Sequence, residues 1–338
     1  MFPQAPVYTA LYDPAVTGDL IDPARVRVSA LQRIPFARRA FRYLAPLYPA
    51  AFESFDLSDY DLVVSSTSSW AKGVRTRPET THVCYLHTVS RFVFAYEGYL
   101  GGFGLSRAAR PVVAPLVRWD LAAAQLPTAF IANSRNVAAR AQKFYGRPAR
   151  VVNAPVDIER FSAGEGGGDY FLVVSRLLPY KRVDLAIEAC RLSGVRLVIA
   201  GSGPARRSLE RAAAGTRTEF LGAVSDADVS DLMARARAVL YPGEEDYGLV
   251  PLEANASGRP VLAFGRGGAL ETVVPGVTGE FFEEASGASL ARAIDAFDPA
   301  RFDPARLRAH AETFSPAVFK QQLREAIDEI LVSGREPA

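Results

Sequence analysis

Gly243-Glu244-Glu245-Asp246-Tyr247-Gly248-Leu249-Val250-Pro251-Leu252-Glu253-Ala254 follows a short apolar run at residues 238–241. An apolar run of this length between turn signals predicts a buried strand. Pro251 suits the first turn of a helix, because the N–H that proline lacks would be unpaired there. The stretch is therefore predicted to lead from the end of a strand into a helix, where ligands of open parallel sheets bind.

Short apolar runs of the same kind alternate with amphipathic helical patterns along the chain. Val183, Ala186, Ile187 and Cys190, for example, share one face of a predicted helix. This alternation predicts parallel sheets covered by helices on both faces. Strands are predicted at 7–11, 61–66, 82–86, 129–132, 150–152, 170–174, 196–200, 219–221, 238–241 and 260–263.

The chain has 338 residues, which is too long for one ordinary core. The α/β pattern predicts two Rossmann-like domains, at residues 1–152 and 170–338. Turn signals and a Gly-rich run mark 153–169 as the linker. The final helix, at 316–332, carries one apolar stripe.

Composition excludes several classes of protein. A net charge of +2 gives no argument for a nucleic-acid partner. Cys84 and Cys190 each lie in an apolar run, so they predict neither a disulfide framework nor a zinc site. The sequence has neither a run of 18 apolar residues nor a signal-peptide pattern. A cytoplasmic protein is expected.

Cations and glycines follow the predicted strands of the second half. Arg176 and Lys181 come after the strand at 170–174 and can neutralise a diphosphate, arginine by its planar fork and lysine as a point charge. Two solvated surface cations are the alternative. Gly222, Gly248 and Leu249 are expected to line the same site, where amides at a helix N-terminus favour an anion.

Two glutamates belong to the same predicted edge. Carboxylates accept hydrogen bonds from sugar hydroxyls, so Glu253 is a candidate for holding a ribose and Glu245 for holding a second sugar. The alternative is that both are helix N-terminal acids that favour the helix dipole.

Polar residues also follow the strands of the first half. His87 comes directly after the strand at 82–86 and is the candidate for contacting the sugar or an acceptor. A helix-cap or core histidine is the alternative. Ser65-Ser66-Thr67 and Asn133-Ser134 lie on the same rim, and Ser134 fits a plain helix N-cap.

The quoted stretch resembles the E-x7-E signature of glycosyltransferase family 4, the retaining group 1 transferases with the GT-B fold. Other segments resemble the same family in order and spacing, so that the resemblance covers roughly residues 5–332. They lie at 175–181, 201–204, 220–222, 267–271 and 278–279.

The resemblance implies specific roles. Arg176 and Lys181 bind the diphosphate of a nucleotide-sugar donor, and Glu253 binds its ribose. Glu245 and His87 lie by the donor sugar and are the catalytic candidates. The two domains then face each other across a cleft, the second holding the donor and the first facing the acceptor. The resemblance also implies that the final helix, at 316–332, packs back toward the first domain. The family transfers by same-face attack, in which the leaving diphosphate helps to take the acceptor proton, so no metal or other cofactor is expected.

The substrate stays open. Tyr85-Leu86-His87-Thr88 resembles a subgroup often assigned to mannosyl transfer onto polysaccharide or glycolipid, but residues 89–94 depart from that subgroup's usual continuation. The favoured reaction is hexose transfer to a glycan or lipid-linked acceptor. A non-catalytic sugar-nucleotide-binding subunit and an epimerase of the same fold are the alternatives, and a phosphorylase would require a longer chain.

A basic and aromatic segment at 33–44 suggests contact with a membrane surface. Four arginines, at 33, 38, 39 and 42, alternate there with Phe36, Phe41 and Tyr43. Such a face can lie on an anionic bilayer and meet a lipid-linked acceptor. A surface helix whose arginine stems cover the edge of a core is the alternative.

Family members normally open with a strand, a Gly-rich loop and a helix before the segment matched here at 6–11, which only five residues precede. We therefore expect an N-terminally truncated or defective copy, whose first domain lacks that opening unit. An empty interior position in a parallel sheet leaves backbone groups unpaired, at ~1–3 kcal/mol for each buried group. The first domain is expected to be unstable and transfer to be weak.

Overall fold

A computed structural model describes residues 1–41, 43–90, 110–164 and 168–334 of the chain. The first part contains a small parallel pair, β1 (Val7–Thr9) with β2 (Val26–Val28), beside a four-stranded parallel sheet. That sheet has the order β3-β4-β5-β6. Its strands are β3 (Leu62–Thr67), β4 (Thr81–Leu86), β5 (Ala129–Ala132) and β6 (Ala149–Val151).

The second part is built on a six-stranded parallel sheet with the order β12-β11-β10-β7-β8-β9. The order reverses next to β7, which gives a doubly wound sheet with helices on both faces. Its strands are β7 (Tyr170–Val174), β8 (Arg196–Ala200), β9 (Thr218–Gly222), β10 (Ala238–Tyr241), β11 (Val261–Phe264) and β12 (Gly279–Phe282).

Helices connect and cover these strands. They are α1 (Pro14–Thr17), α2 (Tyr48–Glu53), α3 (Arg110–Ala123), α4 (Arg135–Tyr145), α5 (Val183–Ser193), α6 (Arg206–Ala212), α7 (Asp226–Arg235), α8 (Leu249–Ala256), α9 (Ala269–Thr272), α10 (Gly287–Asp295), α11 (Pro304–Glu312) and α12 (Pro316–Ser333). In the described ranges, none is both long and apolar enough to cross a bilayer.

The predicted strands agree with the structure to within two residues at each end, and β5, β7, β8 and β10 have the predicted bounds. Two strands were not predicted. β2 has three residues, none of them buried, so its apolar signal is weak. β12 begins with a glycine and a glutamate, which are both depleted in strands.

Separate apolar cores lie against the two faces of each sheet. The last helix, α12, belongs to the first sheet. Its buried stripe packs with strand residues such as Val83 and Ile131. The stripe consists of Leu323, Ala326, Ile327 and Ile330. The chain therefore leaves the first domain after β6 and returns to it with α12.

The chain crosses between the domains twice, after β6 and again before α12. The first crossing is anchored in the second domain directly after Asn153. Ala154, Val156 and Phe161 are buried in the second core, and the Tyr247 hydroxyl donates to the Ala154 carbonyl at 2.9 Å. The two crossings run side by side, because the Val156 amide donates to the Phe314 carbonyl at 2.9 Å. Most of the Gly-rich run that predicted a flexible joint, residues 165–167, lies outside the described residues.

A buried ion pair stabilises the first domain. The Lys72 ammonium contacts a carboxylate oxygen of Asp120, and these side chains are 1% and 0% exposed. Asp120 also accepts hydrogen bonds from Ser90 Oγ at 2.5 Å and from the Tyr145 hydroxyl at 2.9 Å. Burial lowers the pKa of Lys72, and the charge of Asp120 opposes that shift. The network anchors the segment that follows His87.

Removing one partner of this pair should cost more stability than removing both charges. We expect Asp120→Asn, which leaves the Lys72 ammonium without a counter-charge, to lower the free energy of unfolding by ~3–5 kcal/mol. The double variant Lys72→Met with Asp120→Asn should be more stable than that single variant. Urea denaturation measures both differences.

The matched control breaks the exposed pair of Arg77 with Asp61. Arg77→Met should leave the urea midpoint unchanged, because exposed pairs contribute little. A double variant that is less stable than Asp120→Asn would show that the unpaired Lys72 charge is not the cause of the loss.

Candidate active site

The loops at the carboxyl edge of the second sheet touch each other through their backbones. A Cβ atom on Gly201 would lie 1.8 Å from the Ser175 carbonyl oxygen. One on Gly243 would lie 2.9 Å from the carbonyl oxygen of Lys181. Only glycine permits such close approach. The loop after β10 is thereby held against the turn that carries Lys181.

Two of the predicted site residues meet in that contact. The Lys181 ammonium is paired with a carboxylate oxygen of Glu245, and their side chains are 16% and 18% exposed. The neighbouring Tyr241 is almost completely buried, and burial together with the charge of Glu245 raises its pKa. A cation, a carboxylate and a neutral phenol thus lie together at the strand ends.

Arg176 lies in the turn before Lys181, where its carbonyl accepts a hydrogen bond from the Leu178 amide at 2.8 Å. Its side chain is exposed. Among the described residues, no ion pair is found to the Arg176 guanidinium. The guanidinium is therefore exposed at this edge of the sheet.

Glu253 lies in α8, where it is half-buried. Burial raises the pKa of its carboxyl group, whereas the charge of Arg160 opposes that shift and the charge of Asp226 adds to it. Arg160 and Asp226 form an ion pair at 2.9 Å. Sequence reasoning missed this pair, because Arg160 comes from the segment assigned to the linker and belongs to none of the quoted motifs.

The two glycines predicted for the site, Gly222 and Gly248, have backbone conformations that favour glycine. Gly222 ends β9 with a φ of 78°, and its carbonyl accepts a hydrogen bond from the Gly201 amide at 2.7 Å. Gly248 has a φ of 89°, and a Cβ atom there would lie 2.3 Å from the Tyr241 hydroxyl oxygen. Leu249 begins α8 and is 40% exposed.

His87 stands at the end of β4 on the first domain. Its Nε2 atom is 2.8 Å from Ser66 Oγ, and its carbonyl accepts a hydrogen bond from Asn133 Nδ2 at 3.1 Å. Burial lowers the pKa of His87, which favours the neutral imidazole. The fully buried core histidine is instead His82, whose pKa burial lowers to about 4. His87 itself is only half-buried, so its imidazole is partly accessible at this edge of the sheet.

The N-terminus of α4 brings this rim to the second domain. Ser134 is the N-cap, because its Oγ accepts from the Val137 amide at 3.0 Å, and the same hydroxyl donates to the Asp246 carbonyl at 2.7 Å. Glu271 of the second domain accepts hydrogen bonds from the amides of Arg135 and Asn136, at 2.8 and 3.1 Å. The loop that carries Glu245 thus lies between the two domains.

Two protein-family models match the chain. The model described as Glycosyltransferase Family 4 matches residues 7–160. The model described as Glycosyl transferases group 1 matches residues 156–311. The first match contains both of the first domain's sheets, and the second contains the whole sheet of the second domain.

Curated relatives match shorter segments. A D-inositol 3-phosphate glycosyltransferase of Mycobacterium avium is 34% identical over 157 residues, which cover 39% of this chain and 37% of that protein. A GDP-mannose-dependent alpha-(1-6)-phosphatidylinositol dimannoside mannosyltransferase of Mycobacterium tuberculosis is 44% identical over 94 residues, which cover 26% and 25%. The chain thus spans well under half the length of these relatives.

Solved structures share the fold over most of the chain. A sucrose-phosphate synthase of Thermosynechococcus elongatus aligns with a TM-score of 0.74 at 19% identity, over 98% of this chain and 90% of that one. Anabaena HepE in complex with UDP-glucose aligns with a TM-score of 0.60 at 21% identity, over 90% and 86%. These likenesses show the GT-B fold. Since the two family models together extend from residue 7 to residue 311, the chain belongs to glycosyltransferase family 4, the group 1 glycosyl transferases.

Proposed function

We propose that this protein transfers a hexose from a nucleoside diphosphate sugar to a glycan or lipid-linked acceptor, with retention of configuration. The observation that carries the proposal is the contact of Lys181 with Glu245 at the carboxyl edge of the second sheet. It joins the cation that we assign to the diphosphate with the carboxylate that we assign to the donor sugar. The edge also meets the domain that carries His87, through the contact of Ser134 with Asp246.

Donor binding follows from the arrangement of charges. Arg176 is exposed and Lys181 is held by Glu245, so an entering diphosphate meets one open cation and one that its own charge can attract. The N-terminus of α8 adds favourable partial charge. Glu253 is half-buried, and we assign it to accept hydrogen bonds from ribose hydroxyls.

The proposed reaction breaks the bond between the anomeric carbon and a diphosphate oxygen. The acceptor hydroxyl forms the new bond on the same face, and its proton passes to the leaving diphosphate. Arg176, Lys181 and the helix N-terminus stabilise the charge that develops there, without a resident metal ion. His87 and Glu245 orient the sugar hydroxyls from the two sides of the cleft.

The sugar is proposed to be of the mannose type. The Mycobacterium tuberculosis relative is GDP-mannose-dependent, and its matched segment has the higher identity of the two relatives described above. The structure of Anabaena HepE holds UDP-glucose instead. Donor binding should therefore be tested with both UDP sugars and GDP sugars.

Contact with a membrane surface is part of the proposal. Phe36, Phe41 and Tyr43 are 75%, 46% and 88% exposed, and Arg39 is exposed beside them. Arg38 is paired with Asp13 at 3.0 Å. Arg42 lies outside the described residues. Exposed aromatic rings next to arginines suit the interface of an anionic bilayer.

Donor binding is tested first. We expect one class of UDP or GDP sugar to raise the melting temperature, because a ligand bound by the native state stabilises it. Arg176→Ala and Lys181→Ala should each weaken binding of that donor by ~1.5–3 kcal/mol. Calorimetry measures the affinities, and the control is Arg217→Ala, an exposed site directly before β9 and thus at the amino edge of the sheet.

Turnover assays with and without a chelator then separate the candidate functions. Transfer or slow donor hydrolysis that survives the chelator supports the proposed enzyme. Binding without any turnover would favour a non-catalytic subunit, and an epimeric product without acceptor would favour an epimerase. Unchanged affinity in both cation variants would remove the diphosphate assignment.

The two glutamates should respond differently to the ligand. Glu253→Ala should weaken binding of the bare nucleoside diphosphate, because the ribose is present in that ligand. Glu245→Ala should weaken binding of the sugar conjugate only, by ~1.5–3 kcal/mol if a charge-assisted hydrogen bond is lost. Calorimetry with both ligands checks this, and equal losses for both ligands in both variants would show the roles to be wrong.

Vesicle flotation tests the membrane surface. The protein should float with vesicles that contain anionic lipid and stay unbound with neutral vesicles. Replacing arginines 38, 39 and 42 by Gln should reduce binding by about 1 kcal/mol for each arginine near the surface. The control replaces the exposed arginines 207, 211 and 217 of the second domain. Equal flotation of the two triple variants would contradict membrane contact through residues 33–44.

A further inference from the structure

We propose that Asn136 and Arg140, on α4 of the first domain, are positioning residues for Glu245 of the second domain. They act through the backbone of residues 244–246 and through Asp246. The first domain would then set the geometry of the donor-sugar carboxylate. This inference rests on the proposed function, because it takes Glu245 to contact the donor sugar.

The Asn136 side chain bonds directly to the backbone of the loop. Its Nδ2 atom donates to the carbonyl oxygens of Glu245 and Asp246, each at 3.2 Å. Ser134 Oγ donates to the same Asp246 carbonyl at 2.7 Å. Two side chains from one helix N-terminus thus fix two successive peptide groups next to the Glu245 side chain.

Arg140, one helical turn further along α4, adds a charged contact. Its guanidinium is paired with a carboxylate oxygen of Asp246, and it lies 3.8 Å from a carboxylate oxygen of Glu244. The side chains of Arg140 and Asp246 are 28% and 14% exposed. Such partial shielding from water makes the pair stronger than an open surface pair.

The second domain holds the opposite side of the same loop. The Gly268 amide donates to the Glu245 carbonyl at 2.9 Å, and a Cβ atom on Gly267 would lie 2.4 Å from that carbonyl oxygen. Glu271, in the same segment, is bonded to the first two amides of α4. The loop is therefore enclosed by α4 on one side and by residues 267–271 on the other.

The consequence is a division of donor recognition between the domains. The side-chain hydrogen bonds and ion pairs of Asn136 and Arg140 in the described structure go to residues 244–246, and none goes to Arg176 or Glu253. The nucleoside diphosphate should therefore bind without help from α4. Recognition of the sugar, and the rate of transfer, should depend on it.

The test compares ligands in the full chain. Arg140→Gln and Asn136→Ala should each lower kcat with the donor sugar by about 10- to 100-fold, because small misplacements of a catalytic group have effects of that size. Calorimetry should show weaker binding of the sugar conjugate and unchanged binding of the bare nucleoside diphosphate. Lys143→Gln removes a charge from the exposed side of the same helix and is the matched control.

A charge exchange makes the test specific. Arg140→Asp combined with Asp246→Arg should recover part of the kcat and sugar affinity that Arg140→Asp alone loses. Equal losses for the bare nucleoside diphosphate and its sugar conjugate would overturn the positioning role, as would normal kinetics in both single variants. Wild-type protein that binds no nucleotide sugar would instead overturn the proposed function, and the positioning role with it.

Discussion

At the carboxyl edge of the second sheet, the connecting loops cross at backbone contact distance, and no side chain fits between them. Gly201 approaches the Ser175 carbonyl, Gly243 approaches the Lys181 carbonyl, and Gly267 approaches the Glu245 carbonyl. Each contact fixes one loop relative to the next. The positions of Lys181 and Glu245 therefore depend on main-chain packing more than on the preferences of their own side chains.

This constraint explains why opposite charges can lie together at a sheet edge that is largely shielded from water. Lys181 and Glu245 have little exposure and neutralise each other, and Tyr241 beneath them stays protonated because its pKa is raised. An unpaired charge in the same place would carry a desolvation penalty. Each charge of the pair therefore offsets the desolvation of the other.

The sequence predicts the second sheet well for a physical reason. Strands buried on both faces, such as β7, β8 and β10, appear as continuous apolar runs, and the charged residues that follow them share one edge. The edge strand β12 lacks that signal. Contacts between domains have no sequence signal either, since Arg140 occupies an ordinary polar position of an amphipathic helix. The same holds for the buried pair inside the first domain, where Lys72 has the sequence context of a surface lysine although it is 1% exposed.

The two chain crossings lie side by side, at Ala154 to Val156 and at Phe314. A rotation of one domain on the other turns about an axis near these crossings, so displacement grows with distance from it. Tyr247 is bonded to the first crossing, and its neighbour Asp246 contacts α4. Glu245, two residues from Tyr247, is therefore close to this axis, so a rotation would displace it least. Groups on the far rim of the cleft would move the greatest distance.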